Sequence, residues 1–399
     1  MSNTDGFTLQ WALDPLPVTS FLDNIWGTRQ YHISREQPDY FDGLLEGSSA
    51  VEHLLELYRP ASGPEWAVRV IRPDKKSEPG AYKCADGTLD VDRVRTDFGD
   101  GCTIVFDAVE QFVRPVAALT HSIEVDVNFA TKVNAYATPP HSQGFAAHYD
   151  QHDVLVLQIQ GSKIWHVYPE ADVSPSAMHR RQPVLAEQLP KPTDLLVEAG
   201  DVLYLPRGRV HMAETTSQSS VHLTLGIHAP TVISLLTQTL YALSSSDDRF
   251  HHRLPPRHLS DLALRGQVRR LVGDALGAIE EPEGIAQGLG ALEEVLVKRG
   301  RCPPLGQSVA DAVAVDASTR VVRYQPLYAR VVAAGSGVAL QFATLSVNAT
   351  ADHRTALDFL SRRTEPFRVG ELPGLSEPQQ LALAQTLLLS GFLILLHGD

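Results

Sequence analysis

His148-Tyr149-Asp150 opens a stretch that continues through Val154-Leu155-Val156-Leu157-Gln158-Ile159, a turn at Gln160-Gly161, and then Lys163-Ile164-Trp165-His166-Val167-Tyr168-Pro169. Short apolar runs punctuated by Gly, Pro and Asp read as strands joined by tight turns. Side chains alternate faces along a strand, so His148 and Asp150 point one way and Tyr149 the other. A further histidine, His211, closes the run Gly200-Asp201-Val202-Leu203-Tyr204-Leu205-Pro206-Arg207-Gly208-Arg209-Val210-His211. The span between Asp150 and His211 has room for several antiparallel strands that bring it back beside the first pair. Two imidazoles and one carboxylate on one face of an octahedron leave three positions open. That donor set belongs to non-haem Fe(II) oxygenases rather than to a closed structural zinc site. A bare His-x-Asp is equally what a surface turn looks like, so the flanks decide.

Upstream, Asn134-Ala135-Tyr136-Ala137-Thr138-Pro139-Pro140 leads through Ser142-Gln143-Gly144-Phe145 into the histidine. Taken with Leu203-Tyr204-Leu205-Pro206-Arg207-Gly208 and the histidine after it, the pattern from Asn134 to Pro169 resembles the Jumonji C branch of the cupins. More narrowly, it resembles the ribosomal oxygenases, Fe(II)- and 2-oxoglutarate-dependent hydroxylases of ribosomal-protein side chains. The resemblance implies an α+β chain: a double-stranded β-helix (cupin, jelly-roll) barrel, then an α-helical dimerisation domain, then a C-terminal winged-helix domain. It also implies a site. Fe(II) is expected on His148, Asp150 and His211, with 2-oxoglutarate and dioxygen as cosubstrates. Lys163 matches the family's basic residue for the far carboxylate of 2-oxoglutarate, and Asn134 and Tyr136 match positions lining the same pocket. The residues alone leave Lys163 open: an ammonium between Gly161 and apolar Ile164-Trp165 either pairs with an anion or guards a hairpin edge against aggregation.

Composition is compatible with this reading. A chain of 399 residues is long enough for two or three domains. Cys84, Cys102 and Cys302 are few, odd in number and far apart, which fits reduced thiols in the cytoplasm, or simply small buried side chains, better than a disulfide framework. Met1 to Gly6 shows neither a basic start nor an apolar run, so no signal peptide is expected. The apolar stretch Leu387 to Leu396 is interrupted by Ser390-Gly391 and too short to span a bilayer, so no membrane association is expected. A formal charge of −13 argues against nonspecific nucleic-acid binding and suits a basic partner.

Three blocks follow from the patterning: 1–230, 231–318 and 319–399. In the first, Ala67 to Ile71, Thr103 to Phe106 and Lys132 to Tyr136 read as strands, Phe21 to Gly27 as an entry helix, and Asp107 to Ile123 as a helix with apolar residues at helical intervals. In the second, Val232 to Leu243, Leu259 to Ala278 and Ile285 to Lys298 read as helices: a self-contained bundle, or, as the resemblance implies, the surface of a homodimer. In the third, Asp352 to Arg362 reads as a helix, and Ser376-Glu377-Pro378-Gln379 opens another through a capping box with Pro in the first turn. Gly391 ends it ahead of a strand at Phe392 to Leu396. Helix, helix, strand resembles a winged helix. Glu377 to Leu389 contains no Lys or Arg, so a protein-interaction or structural role is expected rather than direct nucleic-acid binding.

Val221-His222-Leu223-Thr224-Leu225-Gly226-Ile227-His228 alternates cleanly. Its polar face, His222, Thr224 and Gly226, either lines the barrel lumen, which would make Thr224 a second contact to 2-oxoglutarate, or faces solvent. His141, His152, His166, His251 and His252 lack ligand spacing and read as surface or capping residues. One departure from the family pattern is Arg209-Val210, where an aromatic or large apolar residue is usual; Arg209 either points outward or reshapes the substrate entrance. The resemblance implies hydroxylation of a His or Arg side chain of a ribosomal protein. Open beside it are another peptide, a small molecule, an N-methyl group removed by demethylation, a metal-dependent reaction without 2-oxoglutarate, and a non-catalytic metal-binding cupin that serves as an interaction module.

Overall fold

The computed structural model describes residues 6–60, 67–73, 75, 76, 78, 80–169, 184, 189–300 and 315–396. Cys302 lies outside them. The chain divides into two compact units, Met1–His228 and Ala229–Asp399.

The first unit begins with α1 (Leu9–Leu13), α2 (Val18–Asn24), β1 (Tyr31–Ile33) and α3 (Ala50–Tyr58). Next come β2 (Val68–Arg72), β3 (Lys75–Lys76), α4 (Val91–Gly99), β4 (Thr103–Phe106) and α5 (Arg114–Val127). Then six strands run to the end of the unit: β5 (Ala130–Thr138), β6 (Asp153–Val167), β7 (Thr193–Glu198), β8 (Val202–Leu205), β9 (His211–Glu214) and β10 (Ser220–His228). The sheet order is β1-β8-β6-β10-β5-β4-β2-β3, with β7 and β9 added on β6. Every pairing is antiparallel.

The organising element is β6. Its first half pairs with β8 and β10, its second half with β7 and β9, so one strand serves both sheets of the barrel. The turn expected at Gln160-Gly161 is instead continuous strand, with a bulge just before it: Ile159 is skipped between the pairs His222–Gln158 and Val221–Gln160. Gly161 sits at φ +63°, and the register to β10 slips between Val221 and His222. A Cβ on Gly161 would lie 1.9 Å from the Ser219 carbonyl oxygen, so the close backbone approach requires glycine. The bulge reverses which face each parity of residue occupies. Before it, Leu155, Leu157 and Ile159 pack in the large core, with Val221, Leu223, Leu225 and Ile227 of β10 and Val116, Leu119 and Ile123 of α5. Even-numbered Val154 and Val156 face the lumen. After it, odd-numbered Trp165 and Val167 join them there, in a cluster with Val197, Leu203 and Leu205.

The entry helix is α2, a few residues earlier than expected. Phe21 and Trp26 pack on the Tyr204 ring at centroid distances of 5.0 and 5.6 Å, and the Gly27 N–H donates to the Tyr204 hydroxyl at 2.7 Å. The helix expected over Asp107 to Ile123 is two pieces, a 3₁₀ turn at Val109–Gln111 and then α5. Pro115 is the reason: it lacks an N–H and its ring would strike the carbonyl four residues back, so it sits in the first turn of a fresh helix.

The second unit holds α6 (Val232–Leu243), α7 (Arg265–Glu280) and α8 (Pro282–Arg299), close to the three helices expected. Thr231 and Ser234 form a capping box on α6. A Cβ on Gly288 of α8 would lie 2.0 Å from Thr239 Oγ1 of α6, so these helices approach closely because residue 288 has no side chain. Beyond them the structure is richer in strands than expected. β11 (Arg320–Arg323) is followed by the meander β12 (Ala329–Ala334), β13 (Gly337–Phe342) and β14 (Leu345–Ala349). Then come α9 (Arg354–Arg362), β15 (Phe367–Arg368), α10 (Glu377–Leu389) and β16 (Leu393–Leu395), with β11 between β15 and β16 in a second three-stranded sheet. The capping box forms as expected: the Ser376 N–H and hydroxyl both donate to Gln379 Oε1, at 3.0 and 2.7 Å. Gly391 ends α10 at φ +76°. Among the described residues no helix is long and apolar enough to cross a membrane.

Candidate metal centre

His148 lies just outside a named strand, in an isolated antiparallel bridge with the first residue of β9, His211. Each donates its backbone N–H to the other's carbonyl, at 3.0 and 2.8 Å, which sets the two imidazoles side by side with centroids 4.5 Å apart. Asp150 is held by the turn after β8, its carbonyl accepting the Gly208 N–H at 2.9 Å. The alternation expected around Tyr149 holds. Ala147 and Tyr149 point away and pack with Tyr168 and Val210 behind the site, while His148 and Asp150 face His211. One potential ligand atom from each of the three lies within 4.8 Å of the others. Asp150 Oδ2 is 3.9 Å from His148 Nε2 and 3.6 Å from His211 Nε2, spacings that suit donors sharing one ion.

The tautomers follow from the backbone. His148 Nδ1 lies 2.8 Å from the Ala146 carbonyl and His211 Nδ1 lies 2.9 Å from the Arg209 carbonyl. A carbonyl only accepts, so both Nδ1 atoms carry the proton and both Nε2 lone pairs face the shared centre. Arg209 contributes through its backbone, and its side chain is not among those lining the pocket. Val210 fills the apolar slot behind the ligands.

The triad opens into a pocket of about 490 Å³, partly open to solvent, whose walls also carry Thr103, Tyr136, Phe145, Lys163, Trp165, His222 and Thr224. Lys163 is 3% exposed, not a hairpin-edge residue. Burial alone pushes its ammonium down to about 7, and no carboxylate among the described residues pairs with it. The polar face of β10 lines the lumen rather than facing solvent. His222 is buried, stacked on Tyr136 at 4.9 Å with the rings 3° from parallel, and held well below the ordinary imidazole range by burial and by Lys163. Burial, then Asp150, push the Tyr136 phenol up to about 12, so it keeps its proton as a donor. Thr224 sits in the wall opposite Asn134 in the β10–β5 register. Asn134 itself is not among the lining residues: its Oδ1 accepts the Ala108 N–H at 3.1 Å, where the backbone takes a left-handed turn at φ 59°.

Thr103, Phe145 and Trp165 were not anticipated at the site. Trp165 was legible in principle, two residues after Lys163 and so on the same face. The histidines read as non-ligands stay apart from the triad: His166 bridges Asp194 and Glu214 at 2.6 and 3.3 Å, and His152 packs on the His228 ring.

Residues 110–235, which span the triad and the pocket, match the family model described as the JmjC domain. This segment is similar to JmjC domains. Related chains include the bifunctional lysine-specific demethylase and histidyl-hydroxylase NO66 of Drosophila mojavensis, 29% identical over 238 residues, which are 58% of this chain and 26% of that protein. Ribosomal oxygenase 1 of Rattus norvegicus is 31% identical over 226 residues, 55% of this chain and 36% of that one. This chain thus spans about a third or less of the length of the curated relatives it matches. Among solved structures, YcfD, a ribosomal oxygenase from Escherichia coli in complex with cobalt and 2-oxoglutarate, superposes with a TM-score of 0.58 at 19% identity, covering 96% of this chain and 99% of that one. The two proteins therefore share a fold.

Proposed function

We propose that this protein is an Fe(II)- and 2-oxoglutarate-dependent oxygenase that hydroxylates a protein side chain, a His or Arg of a ribosomal protein. The observation that carries the reading is Lys163, a buried amine without a carboxylate, in the wall of the pocket that holds a two-histidine, one-aspartate centre. A lone buried cation is costly unless an anion completes it. The donor set fits Fe(II): imidazole and carboxylate without thiolate, with the Nε2 lone pairs pre-aimed. Bound there, iron with 2-oxoglutarate and dioxygen supplies the oxidation, giving hydroxylated product, succinate and carbon dioxide. The chain's own part is to hold the ligands through the His148–His211 bridge, to offer Lys163, Tyr136 and Thr224 to the dicarboxylate, and to keep water out with Trp165, Val154 and Phe145. The names of the relatives, histidyl-hydroxylase and ribosomal oxygenase, support the substrate class, as does the net charge of −13 toward a basic partner.

Mass spectrometry of ribosomal proteins from cells with and without the gene tests the reading, with a gain of one oxygen on a His or Arg expected. No such change on any of them, together with no succinate formed, removes it and leaves a non-catalytic binding module. The name lysine-specific demethylase motivates a second substrate, an N-methyl group, for the same site. Loss of 14 Da from a methylated peptide would mark it.

The helices of the second unit support a homodimer. Ile233, Leu236 and Leu240 line one side of α6 and are 50%, 41% and 42% exposed, an apolar row unusual for a surface without a partner. Light scattering at micromolar concentration tests it. We read 319–399 as a winged-helix module for protein contact and place the chain in the cytoplasm, where Cys84 and Cys102, neither in a disulfide, stay reduced.

A further inference from the structure

Two polar atoms in the pocket wall have no hydrogen-bond partner: Trp165 Nε1 and His222 Nδ1, each sealed from solvent. Both belong to buried residues, 5% and 2% exposed. An indole N–H can only donate, so its missing partner must be an acceptor, and buried donors are rarely left unpaired. Their placement says where the acceptor belongs. Trp165 follows Lys163 by two residues on the lumen face of β6, and its ring lies 5.8 Å from that of the ligand His211 and 5.6 Å from that of His222. His222 in turn stacks on Tyr136. The tryptophan thus stands between the metal-binding end of the pocket and its basic end.

We propose that Trp165 and His222 are cosubstrate-binding residues whose N–H groups donate to a dicarboxylate spanning the distance from the metal centre to Lys163. The inference rests on the proposed function and extends it to two residues. His222 does this as a neutral imidazole with Nδ1 protonated, which leaves Lys163 as the single cation answering the far carboxylate. The wall then sets ligand length as well as charge: a ligand with one carboxylate engages the metal or Lys163 but not both, and leaves one of the two N–H groups unpaired.

The test is calorimetric titration of 2-oxoglutarate into the Mn(II)-loaded full chain, without turnover. Trp165→Phe keeps the ring and deletes the N–H, and His222→Phe keeps the stack on Tyr136. Each is expected to raise the Kd about tenfold or more, the usual weight of a hydrogen bond to a charged group, with Mn(II) affinity unchanged. A Kd within twofold of the unsubstituted protein for both overturns the inference, and means that neither N–H group donates to the dicarboxylate. If the variants fold poorly, the unsubstituted protein still decides. With Zn(II) in the site and 15N-indole tryptophan, one indole N–H resonance should move downfield on saturation with 2-oxoglutarate, and no movement overturns the proposal. Lys163→Ala separates the two readings. Loss of binding in Lys163→Ala with normal binding in the Trp165 and His222 variants refutes this inference alone, whereas no binding of 2-oxoglutarate by the unsubstituted protein removes the cosubstrate reading itself.

Discussion

Lys163→Met should make the empty protein more stable, and the gain should shrink as pH rises. Burial holds the folded-state Lys163 near 7 against an ordinary 10.5. Between those values the unfolded chain binds more protons than the folded one, so this residue opposes folding and its opposition fades with increasing pH. The linkage relation at 1.36 kcal/mol per unit gives a cost of about 4 kcal/mol at pH 7 and about 2 kcal/mol at pH 9. Methionine fills a similar volume without a charge and escapes the cost, as when well-packed apolar residues replace buried ions. Urea unfolding of both proteins at pH 7 and 9, with neither metal nor 2-oxoglutarate, measures the difference. The expected result is a Lys163→Met variant more stable by about 2–4 kcal/mol at pH 7, with the advantage reduced by about 2 kcal/mol at pH 9. A variant less stable than the parent at pH 7, or an advantage that does not change with pH, would show that Lys163 is already paired in the empty protein. The assignment of an anion to it would then lose its basis. A destabilising lysine kept in a barrel lumen is the signature of a group retained for binding.

Binding should show the same titration from the other side. Because the ammonium is the form that pairs with a carboxylate, the affinity of the Mn(II) protein for 2-oxoglutarate should fall about tenfold per pH unit above 7, and a Kd flat from pH 7 to 9 would contradict this. Gly161→Ala should cost about 2 kcal/mol or more in urea unfolding, since it adds a Cβ 1.9 Å from the Ser219 oxygen at a left-handed residue; an unchanged midpoint would mean that glycine is dispensable there. Gly288→Ala should cost about 1–3 kcal/mol by driving α8 off Thr239, and adding Thr239→Ala should recover most of it; no recovery would place the strain elsewhere.

What the sequence disclosed and what it concealed divide along physical lines. The triad was legible because a period of two is local: His148 and Asp150 needed no knowledge of distant strands to share a face. The helix bounds of α6 and the Ser376–Gln379 box were legible for the same reason, since caps and helical spacing act within a few residues. The break at Val113 was missed because apolar residues recur across it at helical intervals, and only Pro115 betrays the new start. The strands β12 to β14 were missed because Ala329, Ala333, Ala334, Ala339 and Ala349 dilute the β-branched signal and most of the outer two strands is half-buried. Asn134 matched a pocket position in the motif; its Oδ1 accepts from the Ala108 backbone, a contact made across elements and invisible in one strand, while its side chain also hydrogen-bonds the pocket residue Tyr136.

The bulge at Ile159 shows how one non-local irregularity decides the chemistry. Without an extra residue at the bulge, the parity that puts Val154 and Val156 in the lumen would continue, and Ile164 and His166 would follow them. Lys163 and Trp165 would then point to the outer face, where the alternation places Leu155 and Leu157, and the pocket would lose its only buried ammonium among the described residues. Read as a turn, Gln160-Gly161 leaves the direction of Lys163 undetermined, which is why the residues alone could not choose between an anion partner and a hairpin guard. Read as continuous strand with Ile159 as the bulged residue, it fixes that direction, and, two residues on, the close approach to Ser219 admits only glycine at 161. On the other side of β10, the unbroken pairing with β5 sets His222 opposite Tyr136. The lysine of the pocket is therefore aimed by a single backbone irregularity, while its imidazole and phenol are brought together by the regular β10–β5 pairing and the metal end by the His148–His211 bridge.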